Sequence, residues 1–247
     1  YNDWQSVFKL LENINSEVSN LGHEFSVIIV NDASKESKPE LTTNLDNLNS
    51  IKIINMRENR GHARCNATGL KHIFENEEFD YVIPMDGDGE DRPEEIKQLV
   101  DNLNYHPDKP IVGERIKRSE GIFFKLCYFI HKLITYTFTG QSIKFGNYSC
   151  LPKSIVERMI NEKATWSSFS GSLAKVSKDR ATIPSERGSR YFGPSKMSFK
   201  NLTIHSLAII SVFKFNVLLR SIMFLIVYMF LIHQNISIIM LIPFPLI

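Results

Sequence analysis

The chain has 247 residues, of which 43% are hydrophobic and 23% charged, and its formal net charge is +2 at pH 7. This length accommodates one domain with its own core plus an appendage. The small net charge argues against a dedicated nucleic-acid binder, which would carry a strong basic bias. The cysteines Cys65, Cys127 and Cys150 show no metal-type spacing, which favours reduced thiols over a disulfide framework.

The first half of the chain alternates between strand-like and helical apolar patterns. The predicted strands, each a short apolar run, cover residues 25–30, 51–54, 81–85 and 111–113. The predicted helices, with apolar residues at helical spacing, cover residues 3–21, 62–76 and a stretch that begins near Pro93, where Asp91 is a plausible cap. This alternation predicts an α/β fold with a mostly parallel sheet and helices on both faces.

The region from Gly121 to Gly140 is too polar to span a bilayer, because Lys125, His131 and Lys132 interrupt it. It is also unusually aromatic for a soluble surface helix. A helix lying in the membrane interface explains this composition. A fully buried core helix explains it equally well, so both interpretations stay open.

The last part of the chain has a membrane-like composition. We expect a main domain over residues 1–200, an interfacial helix over 201–216 and a truncated transmembrane hairpin over 217–247. Basic residues that precede Val217 predict that the main domain faces the cytoplasm. The chain begins without Met and stops inside an apolar segment, so we expect both ends to be cut and a first strand to be missing.

Asp86 and Asp88 directly follow the third predicted strand, separated by one glycine. Ligands of open α/β sheets bind beyond the carboxyl ends of the strands. Carboxylate oxygens at such an edge suit Mg²⁺ or Mn²⁺, which would also bind substrate phosphates. The alternative is an acidic turn that only caps the next helix. The position after a strand favours the metal site.

Basic residues follow two other predicted strands. Arg115 comes just after residues 111–113, and Arg187, Arg190 and Lys196 lie in a loop after the short strand 181–183. Arginine binds phosphate through paired donors. The alternatives are a solvated basic loop around Arg115, and a later loop that only binds anionic lipid headgroups.

Four ordered motifs resemble family 2 glycosyltransferases. They are residues 1–3 (Tyr-Asn-Asp), 30–34 (Val-Asn-Asp-Ala-Ser), 59–61 (Asn-Arg-Gly) and the Asp86-Gly87-Asp88 turn with its following Asp-Arg-Pro-Glu. The closer similarity is to dolichyl- or polyprenyl-phosphate sugar synthases and covers residues 1 to about 215. It implies a nucleotide-diphosphosugar transferase domain of the GT-A type.

The resemblance also implies roles for individual residues. Asp3 and Asp32 would contact the nucleoside, with Arg60 nearby, while Asp86 and Asp88 would serve the metal and the diphosphate. Glu90 stands where the family often has a glutamine that completes the metal shell. Arg115 would bind acceptor or product phosphate. The later loop departs from the family's Arg-x-Gly-x-Ser-Lys-Tyr pattern, because Gly188 follows Arg187 immediately and Arg190 precedes Tyr191.

Only two carboxylates, Glu157 and Glu162, lie between residues 142 and 178, so no obvious catalytic base is present. A phosphate acceptor needs no base, since it is already largely ionised near neutral pH. We therefore predict an inverting transfer of a sugar from a UDP-sugar to a membrane polyprenyl phosphate. A hydroxyl acceptor on a glycan or glycolipid, and a non-catalytic membrane-anchored subunit, are the alternatives. A homo-oligomer is possible.

Overall fold

The computed structural model describes residues 1–40, 43–117, 122–194 and 199–232. Its strands are β1 (Ser26–Asn31), β2 (Ser50–Asn55), β3 (Tyr81–Val82), β4 (Ile111–Lys117), β5 (Phe145–Pro152) and β6 (Ala181–Glu186). Its helices are α1 (Trp4–Val18), α2 (His62–Asn76), α3 (Ile96–Asp101), α4 (Ile122–Thr139), α5 (Lys153–Asn161), α6 (Phe169–Val176), α7 (Phe199–Val212) and α8 (Lys214–Ile232). Strands and helices alternate through the first half, so the predicted α/β class is confirmed.

The strands form two sheets in the described part of the chain. β1 and β2 pair in parallel, and the second sheet has the order β3-β5-β4-β6. β4 and β6 are parallel, but β5 runs antiparallel to both β3 and β4, so this sheet is mixed rather than mostly parallel. The sequence did not predict β5, because Asn147 and Ser149 interrupt an otherwise apolar run. Both are buried in the fold.

Helices cover both faces of the sheets, as the sequence predicted. α1 and α3 pack on one side through a core that contains Leu11 and Ile96. α2, α5 and α6 pack on the other side, around Val156 and Phe169. The polar segments that carry most of the predicted site residues follow β1, β2, β3 and β6 along the chain.

Two element boundaries differ from the prediction near the acidic turn. Only Tyr81 and Val82 of the predicted strand 81–85 pair with β5, at Pro152 and Leu151. The helix near Pro93 begins as a 3-10 turn over Pro93–Glu95, and α3 continues it. Residues 83–92 are therefore a connection between β3 and this turn.

The helix α4 is not a buried core helix, because its Phe129, Leu133 and Tyr136 are each more than half exposed. Its Thr139 is buried, and the Thr139 carbonyl accepts a hydrogen bond from Asn216 of α8 at 3.1 Å. Apolar side chains of α7 and α8 are exposed as well, including Leu207, Leu219 and Phe230. The three helices thus share an uncovered apolar surface.

The two last helices meet at a sharp bend. Within the described residues, no helix by itself has the length and hydropathy to cross a bilayer. Ser206–Val212 and Lys214–Phe230 meet that criterion only as a pair bent by 86°. The second arm of the predicted hairpin, residues 233–247, lies outside the described residues.

Candidate functional site

The acidic turn over residues 86–91 is held by its own carboxylates. The Asp88 carboxylate accepts a hydrogen bond from the Glu90 backbone N–H at 3.0 Å, and Asp91 accepts one from the Asp86 N–H at 2.9 Å. Asp91 is 5% exposed and does not cap the next helix, whose N-cap residue is Arg92. The prediction that Asp91 is a cap was therefore wrong. The buried Asp91 carboxylate instead stabilises the turn by accepting the hydrogen bond from its first residue, Asp86.

A loop that follows β6 lies against this turn. The Glu95 carboxylate anchors the end of β6, because it accepts hydrogen bonds from Ser185 Oγ at 2.6 Å and from the Glu186 N–H at 2.9 Å. The chain then pairs its backbone with the turn. Gly188 N–H donates to the Glu90 carbonyl at 2.9 Å, and Tyr191 N–H donates to the Asp88 carbonyl at 3.0 Å.

The loop brings two arginines onto the acidic turn. Arg190 forms ion pairs with both Asp3 and Asp88, the second at 2.5 Å, while Arg187 pairs with Glu90. The Arg190 side chain is only 12% exposed, and its Nε atom has no hydrogen-bond partner. Three predicted site residues, Asp3, Asp88 and Arg190, therefore meet at one point although 187 positions separate the first from the last.

Asp32 follows β1 in the chain, and its carboxylate lies against the residues just before α2. Backbone N–H groups of those residues hold the carboxylate in place. The Arg60 N–H donates to one oxygen at 2.7 Å and the Gly61 N–H to the other at 2.9 Å. The Arg60 guanidinium turns away to Glu58, so only its backbone takes part. Burial, with the nearby Asp32 carboxylate, raises the pKa of the Cys65 thiol to about 12. Cys65 is therefore a protonated thiol at neutral pH.

Asp86 has partners that the sequence analysis did not assign to the site. The Asn147 side-chain N–H donates to Asp86 Oδ1 at 3.1 Å, and His62 Nε2 lies 3.3 Å from the same oxygen. Arg115 points into this group, with its guanidinium 3.9 Å from the Asp91 carboxylate. A place for His62 at the site could have been predicted from the sequence, since His62 begins a helix directly after Gly61. The contact of Asn147 with Asp86 was not predicted, because β5 was not predicted.

The carboxylates of the turn differ in how easily they ionise. Burial raises the pKa of Asp91 to about 7, and the nearby Asp86 charge adds to this. Burial also raises the pKa of Asp88, again with help from Asp86. Burial would raise the pKa of Asp86 too, but hydrogen bonds from His62 and Asn147 and the Arg115 charge lower it. Asp86 is therefore the carboxylate of this group that holds its charge most firmly.

Replacing Asp91 with asparagine is expected to stabilise the metal-free protein at pH 8. Because the folded pKa of about 7 lies above the ordinary value near 3.9, the folded state holds a proton more tightly than the unfolded chain. The contribution of Asp91 to stability is thus fully present below about pH 4 and is lost as the pH rises to about 7. Asparagine keeps an acceptor for the Asp86 N–H without the charge.

The measurement is a series of melting curves in EDTA from pH 5 to pH 8. We expect Asp91→Asn to raise the Tm at pH 8 by about 2–8 °C, the shift that roughly 1–2 kcal/mol produces in a protein of this size, and to flatten the pH dependence. Asp101→Asn is the control, because Asp101 is exposed on α3 and pairs with Lys97. An unchanged or lower Tm of Asp91→Asn at pH 8 would contradict this account of Asp91.

Gly89 permits the close approach of the loop to the turn. Its φ is +88°, and a Cβ atom there would lie 2.5 Å from the Tyr191 ring. We expect Gly89→Ala to separate the loop from the turn and to lower stability by about 1–3 kcal/mol, through backbone strain and the clash. Gly22→Ala is the matched control, because Gly22 also has a positive φ of +68° but open space around it.

Chemical denaturation of both glycine variants measures the difference. Strain alone predicts the same loss of unfolding free energy for both, whereas contact with Tyr191 predicts a clearly larger loss for Gly89→Ala. Asn13 donates a hydrogen bond to the Tyr191 hydroxyl at 2.8 Å, so the ring cannot move aside without losing that contact. Equal losses in the two variants would refute the proposed role of Gly89.

The predicted metal ligands have the right chemistry but do not form a ready-made metal shell. Among the described residues, no three His, Cys, Asp or Glu side chains gather around one point that could hold an ion. Asp88 and Glu90 are paired with arginines, and Asp86 faces Asn147 and His62. Carboxylate oxygens remain the ligands that Mg²⁺ and Mn²⁺ prefer. An incoming cation would compete with Arg190 for Asp88 and with Arg187 for Glu90.

The structure brings most of the predicted site residues to one edge. Asp86, Asp88 and Glu90 lie in the acidic turn, Arg115, Arg187 and Arg190 approach its carboxylates, and Asp3 pairs with Arg190. Asp32 is fixed at the neighbouring start of α2, whereas the Arg60 side chain points elsewhere. Lys196 lies outside the described residues.

An α/β domain that gathers carboxylates and arginines beyond its strand ends is suited to bind a phosphate-bearing ligand there. The chain belongs to glycosyl transferase family 2, whose family model matches residues 1–158. Enzymes of this family generally use a divalent metal ion.

The chain is also similar to individual curated proteins. The undecaprenyl-phosphate 4-deoxy-4-formamido-L-arabinose transferases of Salmonella paratyphi B and Salmonella newport are each 29% identical to it over 212 residues. The matched region covers 82% of this chain and 62% of each relative, so the chain spans less than two thirds of their length. The resemblance to polyprenyl-phosphate sugar transferases that the motifs indicated is thereby confirmed.

Proposed function

We propose that this protein transfers a sugar from a nucleotide-sugar, with a UDP-sugar as the expected donor, to a membrane polyprenyl phosphate. The observation that carries this proposal is the bridge of Arg190 between Asp3 and Asp88. Asp3 is expected to bind the nucleoside and Asp88 to bind the diphosphate, and the Arg190 guanidinium between them is suited to bind phosphate. The names of the Salmonella relatives, which refer to undecaprenyl phosphate, support the acceptor class.

Donor binding would exchange the partners of the arginines. Without a ligand, Arg190 and Arg187 neutralise Asp3, Asp88 and Glu90. The donor diphosphate offers both guanidinium groups paired oxygen acceptors of higher charge. Asp3 would then be released to bind the nucleoside together with Asp32, whose carboxylate is already oriented by backbone N–H groups.

A Mg²⁺ or Mn²⁺ ion is the expected cofactor, held by Asp86 and Asp88, with Glu90 as a third ligand once Arg187 leaves it. When bound, such an ion would neutralise the charge that builds up on the departing diphosphate. Asp86 is suited to this role because its lowered pKa keeps it ionised, as described above. His62 and Asn147 would orient this carboxylate by their contacts with Oδ1.

The proposed reaction is a single in-line displacement with inversion. An acceptor phosphate oxygen attacks the anomeric carbon and forms the new C–O bond. The bond between that carbon and the donor diphosphate breaks, and the nucleoside diphosphate leaves with the electron pair. An ionised phosphate has no proton to lose, so no base is needed. Arg115, together with Arg187, Arg190 and Lys196, would neutralise the donor and acceptor phosphates.

The membrane acceptor is supported by the exposed apolar surface of α4, α7 and α8. Phe129, Leu219 and Phe230 are each more than 60% exposed, which is costly in water and favourable in lipid. These helices would place the domain on the membrane, facing the cytoplasm as the basic residues before Val217 predict. A lipid phosphate could then reach Arg115 from the membrane surface.

A hydroxyl acceptor on a glycan or glycolipid is the second candidate, and one observation favours it. His62 contacts Asp86 and could accept a proton, which the sequence analysis did not anticipate. However, although burial lowers the pKa of His62, the contact with Asp86 outweighs it and raises this pKa, so the pair with Asp86 stabilises the protonated ring. Asp91 is buried beneath the turn and lacks access to an acceptor. Both facts favour the phosphate acceptor.

The test is a transfer assay with the full-length enzyme in membranes. Labelled nucleotide-sugars are supplied with either extracted polyprenyl phosphate or soluble sugars and glycolipids. We expect label on the polyprenyl phosphate, and an activity of His62→Gln that falls mainly through donor affinity. Transfer to hydroxyl acceptors alone, abolished in His62→Gln, would replace the phosphate acceptor by the second candidate. Donor binding without transfer to any acceptor would favour a non-catalytic subunit.

A further inference from the structure

A cavity of about 290 Å³ lies on the opposite face of the sheet from the acidic turn. Successive residues of a strand point to opposite faces. Arg115 points to Asp91 of the acidic turn, and its β6 neighbour Ser185 donates to Glu95 just after that turn. Val112, Glu114 and Thr182, at the alternate positions of the same strands, line the cavity. The cavity is therefore separated from the candidate donor site by the sheet itself.

The lining of the cavity is mainly basic. Lys144, Lys178 and Arg180 face it with Glu114 as the acidic member. Lys144 and Glu114 form an ion pair at 2.8 Å, which neutralises one lysine. Asp179, between the other two cations in sequence, pairs instead with Lys109 at 2.7 Å. Lys178 and Arg180 are therefore the cavity cations that form no ion pair with a carboxylate of the described residues.

Arg180 is held in a position that favours an anion. Its guanidinium stacks over the Phe145 ring at 5.2 Å and donates a hydrogen bond to the Ser177 carbonyl. Partial burial lowers the pKa of Arg180, and the charge of the neighbouring Asp179 acts in the opposite direction. Asp179 forms its ion pair with Lys109, and among the described residues no carboxylate lies within ion-pair distance of the Arg180 guanidinium. A bound anion would offset the cost of burying this charge.

The cavity opens near the helices that expose apolar side chains. Its residue Ser142 follows the end of α4 by three positions. The last turn of α4 is tied to α8, because Arg220 donates a hydrogen bond to the Thr137 carbonyl at 3.0 Å. A headgroup of a lipid lying against α4 and α8 would be close to the cavity.

We propose that this cavity is a second anion site, which binds a phosphate group between Lys178 and Arg180 with Phe145 as its apolar wall. The phosphate can come from the headgroup of an anionic membrane lipid or from a soluble phosphate compound. The site is distinct from the donor site and does not depend on the proposed sugar transfer.

The experiment uses the full chain purified in detergent. Native mass spectrometry measures retention of phosphatidylglycerol against phosphatidylcholine, and calorimetric titration measures binding of inorganic phosphate. We expect wild type to bind phosphate in one of these arms, and Lys178→Glu and Arg180→Gln to weaken that binding by about tenfold. Glu114→Gln should strengthen it, since it removes the acidic group of the lining.

Lys163→Glu is the matched control, because Lys163 is an exposed lysine that does not line the cavity. A response in the lipid arm assigns the site to a lipid headgroup, and a response only to inorganic phosphate assigns it to a soluble compound. Transfer to polyprenyl phosphate should stay within about twofold in Lys178→Glu. Unchanged binding in both cavity variants, or an equal loss in Lys163→Glu, would overturn the proposal.

Discussion

Replacing Asp88 with asparagine is expected to reduce sugar transfer by about 10²–10³-fold, the range seen when one group that stabilises developing charge is removed. Asp88 is the carboxylate at which Arg190 and the proposed metal compete. Asparagine keeps the size of the side chain and an oxygen that accepts from the Glu90 N–H. The variant therefore removes the charge with little change in shape.

The assay measures the transfer rate over a titration of Mn²⁺ and of the UDP-sugar. We expect the Mn²⁺ concentration needed for half-maximal rate to rise as well, since one anionic ligand is lost. Asp101→Asn serves again as the exposed control and should retain full activity. Full activity of Asp88→Asn at the wild-type Mn²⁺ requirement would rule out Asp88 as a metal ligand.

Arg190→Gln is expected to weaken both the transfer rate and the apparent affinity for the donor, with a combined loss of about 10²–10³-fold in kcat/KM. The reason is that Arg190 lies between Asp3 and Asp88, where the diphosphate is proposed to bind. Arg190→Lys keeps the charge but not the paired donors, so it should recover only part of the loss. Arg158→Gln is the control, because Arg158 is an exposed arginine of α5 that contacts the Val176 carbonyl.

A double-mutant cycle separates the structural role of Arg190 from its role in binding. In the free protein, Arg190→Gln leaves Asp3 and Asp88 close together without a cation, so it should lower the free energy of unfolding. Adding Asp88→Asn removes one of these charges, and the double variant should lose less stability than the sum of the single losses. Additive losses would show that the ion pair does not couple the two residues.

Much of the local structure could be predicted from the sequence because it depends on short-range patterns. The helix 62–76 was predicted with the bounds of α2, since its apolar residues follow helical spacing and Gly61 precedes it. β5 was missed because polar residues break its pattern. Asn147 is buried there and contacts Asp86, so its tertiary partner, not its local preference, explains its position.

The candidate site also contains some residues that local sequence patterns predicted and others that only tertiary contacts explain. The carboxylates of the acidic turn were predicted individually because a strand, an Asp-Gly-Asp turn and a helix start are adjacent in sequence. The contacts of His62 and Asn147 with Asp86 were not predicted, since each depends on packing between segments far apart in the chain. The contact of Asp91 with the Asp86 N–H spans only five residues, and it was missed because Asp91 was predicted to cap the next helix. The Arg60 side chain was expected at the donor, yet the backbone of this residue makes the contact with Asp32.

The sequence by itself determined the α/β class, the family resemblance and the acidic turn between a strand and a helix, because periodicity and motif spacing are local properties. Only the tertiary structure decided that Arg190 lies between Asp3 and Asp88 and that α4 exposes its apolar residues. Those features depend on which distant surfaces pack together. Arg190 is mostly removed from water, and a buried guanidinium is stable only with carboxylates beside it, so its position also depends on Asp3 and Asp88.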